Sequence, residues 1–196
     1  MRTIPSVKAA FFQLAADEVA RLLESGRLAR AALDEYLQPQ DWQYLGKRHA
    51  LTSWIPVATQ ARLIEVLVAL EGGGNPQEYL RCLGACAAVD LRKAGVYQQF
   101  EAKSAKWGSG VGRIFATFGA VAYNFSRWSY EEGSAEAHGR ILVDEARDFP
   151  ECLRFTSEGF ITYLWQNALD RKGVAIRSER VTRDRIVFTL LELDAG

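Results

Sequence analysis

Val174-Ala175-Ile176 and Ile186-Val187-Phe188-Thr189-Leu190, with the polar Thr182-Arg183-Asp184 between them, decide the fold class. Both apolar runs are rich in the branched and aromatic side chains that suit a pleated surface, and the short polar link predicts an antiparallel hairpin. Just upstream, Phe160, Ile161, Leu164, Trp165 and Ala168 recur at helical spacing within a stretch from about Leu153 to Asp170 that stops before Gly173. Further back, Gly139, Ile141 and Val143 alternate with Arg140, Leu142 and Asp144, which predicts a strand between Ser134 and Ala146. Strand, helix and hairpin in that order build an antiparallel sheet. The regular βαβαβ alternation of a doubly wound nucleotide-binding sheet is missing.

Everything before this segment reads mainly as helix. Following Trp107, the residues Val111, Ile114, Phe115, Phe118, Val121, Ala122, Phe125 and Trp128 fall on one face of a long helix. Asn75 is a natural N-cap with Pro76 in the first turn, opening a helix that carries Leu80, Leu83, Cys86 and Ala87 towards Gly95. Ser53-Trp54-Ile55-Pro56 marks a boundary, and Ile64, Leu67 and Val68, widened by Leu63, Val66 and Leu70, predict a central core helix ending at Gly72-Gly73-Gly74. Val19, Leu22 and Leu23 define a helix from Ala15 to Leu23, with a short one over Leu28–Leu37 and a third from Pro39 through Tyr44. Val7 to Phe12 fits a short first strand or the opening of a helix, six residues being too few to separate the two periods, and an extended start is the favoured reading. The fold class is therefore α+β, a mainly helical single domain over residues 1–196 with a small antiparallel sheet and a C-terminal β-hairpin.

Bulk properties narrow the function classes. At 196 residues the chain can enclose a sizeable core, and 24 basic against 24 acidic residues give none of the net positive field that draws nucleic acid. No uninterrupted apolar run is long enough to span a bilayer, so no transmembrane segment is expected, and Lys8, Gln13 and Asp17 break any signal-like apolar region. Three cysteines, an odd count, fit a reducing compartment; the expected location is cytoplasmic.

Catalytic punctuation is sparse. Gly108-Ser109-Gly110-Val111-Gly112-Arg113 lacks the Lys-Ser/Thr ending of a phosphate-binding loop, so its glycines read better as a loop that lets a helix pack closely. Cys82 and Cys86 share a helix face but lack the further ligands of a metal site, and are expected to be buried small hydrophobes; Cys152 is expected to be an inert thiol. Neither His49 nor His138 sits in a metal or hydrolase motif. Glu131-Glu132, Asp144, Glu145 and Asp148 read as surface charge, and Arg177, Arg180, Arg183 and Arg185 as solvated hairpin charge, an anion site being the less favoured reading. No catalytic residue and no metal ligand is nominated.

The aromatic supply is the informative feature. Trp54, Phe115, Phe118, Phe160 and Trp165, together with the small Ala122, are the candidate lining of an apolar ligand site between the long helix, the closing helix and the sheet. Exposed rings would instead mark a protein interface, as in a homodimer or a complex subunit.

Ser6-Val7-Lys8-Ala9 near the start and Ser53-Trp54-Ile55-Pro56 before a long helix, with the closing helix and hairpin, resemble a family of uncharacterised proteins best represented in myxobacteria, although Ala9 stands where that family has glycine. Its architecture is similar to haem-nitric-oxide-binding sensors, vinyl-reductase-type ligand-binding domains and TRAPP vesicle-tethering subunits. The resemblance implies ligand sensing or protein interaction more than catalysis, and rests on fold-level analogy. The haem-binding members need an axial histidine and a Tyr-x-Ser-x-Arg motif. Here Tyr123-Asn124-Phe125-Ser126-Arg127 has its serine one place late, and no histidine falls between His49 and His138, both of which count against haem. The expectation is a non-enzymatic small-molecule-binding or regulatory domain, with an interaction module as the alternative.

Overall fold

The computed structural model describes residues 3–95, 111–133, 139–168 and 173–192. Strand β1 (Ser6–Lys8) pairs antiparallel with β2 (Trp54–Pro56), which sets the buried Val7 opposite the buried Ile55. Helix α1 (Ala9–Glu24) follows β1 without a loop. The extended start thus covers only Ser6–Lys8, and Ala9 to Phe12 are helical. The reason is long-range: Ala9 N donates to Ser53 O at 2.9 Å and Ala10 N to Leu51 O at 3.2 Å, satisfying first-turn donors that the helix itself leaves unpaired.

A single turn, α2 (Arg30–Leu33), and a 3-10 turn over Pro39–Tyr44 lead to β2 and α3 (Val57–Glu71). Helix α3 buries Val57, Gln60, Ala61, Leu63, Ile64, Val66 and Leu67, so apolar packing surrounds most of it as the widened stripe predicts, except at its last turn, where Val68 is partly buried and Leu70 is 46% exposed. Helix α4 (Pro76–Lys93) is capped by Asn75, whose Oδ1 accepts from Glu78 N at 3.3 Å.

Asp41 fastens the 3-10 turn to α3. Its fully buried carboxylate accepts from Thr59 Oγ1 at 2.6 Å, from Arg62 Nε and Nη2 at 2.6 and 2.8 Å, and from Gln38 N at 2.8 Å. Burial alone would raise its pKa, but the bonds from Arg62, Thr59 and Gln38 outweigh it and hold the carboxyl below its ordinary range. The unfolded chain therefore takes up this proton first as pH falls. Stability that Asp41 contributes above its unfolded pKa of about 3.9 is lost as pH drops through the lower native value. Urea unfolding near neutrality and near pH 3 should show that Asp41→Asn, though less stable at neutrality, loses less on acidification than the parent; equal losses would remove Asp41 from the acid response.

Helix α5 (Val111–Ala122) leads into β3 (Arg127–Glu131), and after β4 (Arg140–Asp144) come α6 (Glu151–Ala168) and the hairpin of β5 (Val174–Thr182) and β6 (Arg185–Glu192). These four strands form one antiparallel sheet in the order β3-β4-β6-β5, separate from the β1-β2 pair. Trp128, Val143 and Ile186 lie side by side across it, and Tyr130, Ile141 and Phe188 form the next row. Helix α6 lies along both α4 and β5. No helix of the described residues is long and apolar enough to cross a membrane.

The long helix expected through Trp128 ends at Ala122. Tyr123 instead forms a β-bridge with Val7, Ser6 N donates to Asn124 Oδ1 at 2.7 Å, and Asn124 N donates to Ser6 O at 3.2 Å. These bonds to β1 replace the next helical turn. Trp128 sits on β3 and returns to the same helix face through space: a Cβ on Gly119 would lie 1.9 Å from its ring. Helical periodicity thus placed Trp128 beside the right neighbours by the wrong path, whereas Val121 is 59% exposed.

Candidate functional site

A cavity of about 70 Å³ lies where α1, α3, α4, α5 and α6 converge, with Tyr123 and Trp128 from the sheet side also in its wall. Four of the expected lining residues meet there: Phe115, Phe118 and Ala122 from α5, and Phe160 from α6. Trp165 stands one layer back, stacked on Phe115 with ring centroids 5.4 Å apart. Trp54 is elsewhere, on β2, 43% exposed with the Lys8 ammonium 3.6 Å over its ring. Its apolar face is covered by a cation because it belongs to a short surface pair of strands.

The wall is held firmly. Trp128 is stacked against Tyr123 and Phe188, each at 5.8 Å, and its Nε1 donates to Ser126 Oγ at 3.0 Å. Tyr123 also meets Phe149 edge-on at 5.0 Å. Burial raises the Tyr123 phenol well above its ordinary pKa, opposed by the Ser157 hydroxyl beside it, so the phenol stays neutral. Gln60 brings an amide to the wall: it is 4% exposed, and its Nε2 donates to Phe11 O at 3.0 Å. Its Oε1 is buried without a hydrogen-bond partner, as is Trp165 Nε1.

Gln60, Tyr123, Ser157 and the α1 contribution of Phe11 escape the aromatic count made from sequence. Gln60 left a usable trace, being the polar residue four before Ile64 on the apolar face of α3. The others depend on the Val7–Tyr123 bridge and on how α1 meets α6, which no local pattern records.

The remaining candidates form no catalytic set. Cys82 and Cys86 are exposed rather than buried, because α4 buries Leu80, Gly84, Ala88 and Leu91 and turns both thiols outward. Burial pushes the half-buried Cys152 thiol up to about 12, leaving it protonated and unreactive. His49 has a ring nitrogen 3.2 Å from Tyr44 O and does not line the cavity. His138, Trp107 and residues 108–110 lie outside the described residues. Glu131 pairs with Arg140, Glu132 with Arg113, and Asp144 with Arg185. Arg180 departs from the solvated reading. Its Nη1 donates to Ala146 O at 3.0 Å and its Nη2 to Phe149 O at 2.6 Å, fastening the hairpin to the turn before α6.

Haem does not fit this wall. Iron in haem proteins is held by His, Cys, Met or Tyr side chains, and among the described lining residues only Tyr123 is of these types. Its phenol is kept neutral and its ring is fixed between aromatic neighbours. The space is also too small, since sites for drug-sized ligands occupy about 300–1,000 Å³. Among the described residues no group of three or more His, Cys, Asp or Glu side chains is placed to hold a metal ion.

No family model matches the chain, and no curated protein sequence matches it. Solved structures do. The H-NOX protein from S. oneidensis in its Fe(II)NO ligation state superposes with a TM-score of 0.59 at 10% identity, over 95% of this chain and 99% of that one. The Fe(II) unliganded H-NOX protein from K. algicida gives 0.57 at 10% identity, over 95% and 97%. At such identity the likeness establishes the fold, and it is one of the three architectures, that of haem-nitric-oxide-binding sensors, to which the resemblance pointed.

Proposed function

We propose that the chain acts as one non-enzymatic ligand-binding or regulatory domain, taking a small apolar molecule into the cavity beneath α5. The observation that carries this reading is the half-open cavity walled by the aromatic rings of Phe115, Phe118, Phe160 and Trp128, of which Phe115 and Trp128 are buried and stacked on neighbouring rings. Shared architecture supports it, since one structure of this fold is an Fe(II)NO complex. The chemistry here differs: an apolar guest would be held by shape and ring contact, not by a haem iron.

Native mass spectrometry of freshly purified protein is expected to show the chain carrying a small molecule, released on denaturation. Phe118→Ala removes one wall and should weaken retention roughly tenfold while the protein stays folded. A chain found only at its bare mass, or unchanged retention in the folded variant, would overturn this placement.

A further inference from the structure

We infer that the guest of this cavity carries an N–H or O–H donor on a small apolar body, and that Gln60 Oε1 is the atom that reads it. The inference rests on the cavity being a binding site and adds the chemistry of its occupant. An amide side chain has a donating and an accepting end. One N–H of the Gln60 amide is committed to Phe11 O at 3.0 Å, which fixes the amide's orientation and leaves the carbonyl oxygen as an acceptor without a partner. That oxygen is buried and unpartnered, on a residue that is 4% exposed and lines the cavity.

The other polar groups of the wall are engaged. The Ser157 hydroxyl acts on the Tyr123 phenol, and Thr156 Oγ1 donates to Leu153 O at 3.1 Å. Trp165 Nε1, the second unpartnered atom, belongs to a ring behind Phe115 rather than in the wall. Among the described residues the site therefore presents aromatic surface and one buried acceptor without a partner. A buried acceptor left bare is costly, so a site of this kind discriminates sharply against a guest of the same shape that lacks the donor. Size follows from volume. A 150 Å³ cavity admits benzene, so in proportion about 70 Å³ holds roughly three non-hydrogen atoms, and because the cavity is half open a five-membered ring can seat with one edge projecting.

Pyrrole and furan make the test, being five-membered rings of nearly equal shape, one with an N–H donor and the other with an oxygen acceptor. Titrations followed by protein NMR should give roughly tenfold tighter binding of pyrrole to the parent protein, and near-equal affinities in Gln60→Met. In the parent protein the Gln60 side-chain amide resonance should shift with pyrrole more than with furan, a readout that does not depend on the variant folding. Equal affinities in the parent, or a pyrrole preference that survives in Gln60→Met, would overturn the donor rule while leaving the cavity a binding site. Failure of both rings to bind would overturn the binding site itself, and leave Gln60 Oε1 as an acceptor for water.

Discussion

Glu158→Ala is expected to lower the unfolding free energy by about 4 kcal/mol, a fall in Tm of roughly 8–16 °C for a chain of this size. Glu158 is 1% exposed in the middle of α6. One carboxylate oxygen accepts from Arg81 Nε of α4 at 2.7 Å; the other accepts from Ser178 N and Oγ of β5 at 2.8 and 2.6 Å. Arg154 adds a second positive charge at 3.7 Å, and the guanidinium groups of Arg81 and Arg154 both lie over the Phe155 ring. A single anion thus joins two helices and a strand. Alanine leaves Arg81 without its buried partner and the Ser178 amide without an acceptor, and the penalty comes from those stranded groups more than from the lost attraction.

The double variant Glu158→Leu with Arg81→Met distinguishes the two contributions. Removing both charges should recover about half of the loss, because the ion pair is replaced by packing while Ser178 N remains unsatisfied. Urea unfolding of the two single variants and the double one gives the coupling directly. A loss below about 1 kcal/mol for Glu158→Ala would show that the pair is no stronger than an exposed one.

The class of fold was legible because each signal is local. Asn75-Pro76 starts a helix, Gly72-Gly73-Gly74 ends one, and the runs flanking Thr182-Arg183-Asp184 pair as β5 and β6 through their own turn. The early start of α1 and the early end of α5 were hidden for one shared reason. Both boundaries are set by bonds to partners over forty positions away, Ala9 to Ser53 and Tyr123 to Val7. Strand β3 was hidden as well, because Trp128 continues the helical spacing of Val121 and Phe125.

Aromatic residues on α5 and α6 were enough to place one side of the cavity. Of its polar character only Gln60 left a trace, as a polar residue on an apolar face, while Glu158 and Asp41, buried outside the cavity, look like any surface residue until the elements around them are assembled. Trp54 shows the opposite error. A tryptophan beside a core helix suggests a wall, yet a three-residue strand pair is too narrow to bury it, and Lys8 covers its face.

Gly159→Ala is expected to destabilise the protein by about 3 kcal/mol, or roughly 6–12 °C in Tm, even though alanine is intrinsically the better helix former by about 1 kcal/mol. Mid-helix glycines occur at matching places on α4 and α6. A Cβ on Gly159 would stand 1.8 Å from Arg81 O, and one on Gly84 would stand 1.9 Å from Thr156 O. Both obstacles are backbone atoms, which cannot rotate aside as a side chain would. The helices must therefore part along their length, straining the Arg81–Glu158 bond that spans the same seam. Gly84→Ala should behave alike, and the double variant should cost less than the sum, because the seam opens only once. Binding should suffer beyond stability, since Leu83, Gly84 and Ala87 on one side and Thr156 and Phe160 on the other line the cavity. Opening the seam loosens the wall around any guest. Thermal melts of Gly159→Ala, with pyrrole titration at a temperature where the variant remains folded, check both parts. An unchanged or raised Tm would mean that the helices separate freely, and that the close approach of α4 and α6 does not set the cavity's size.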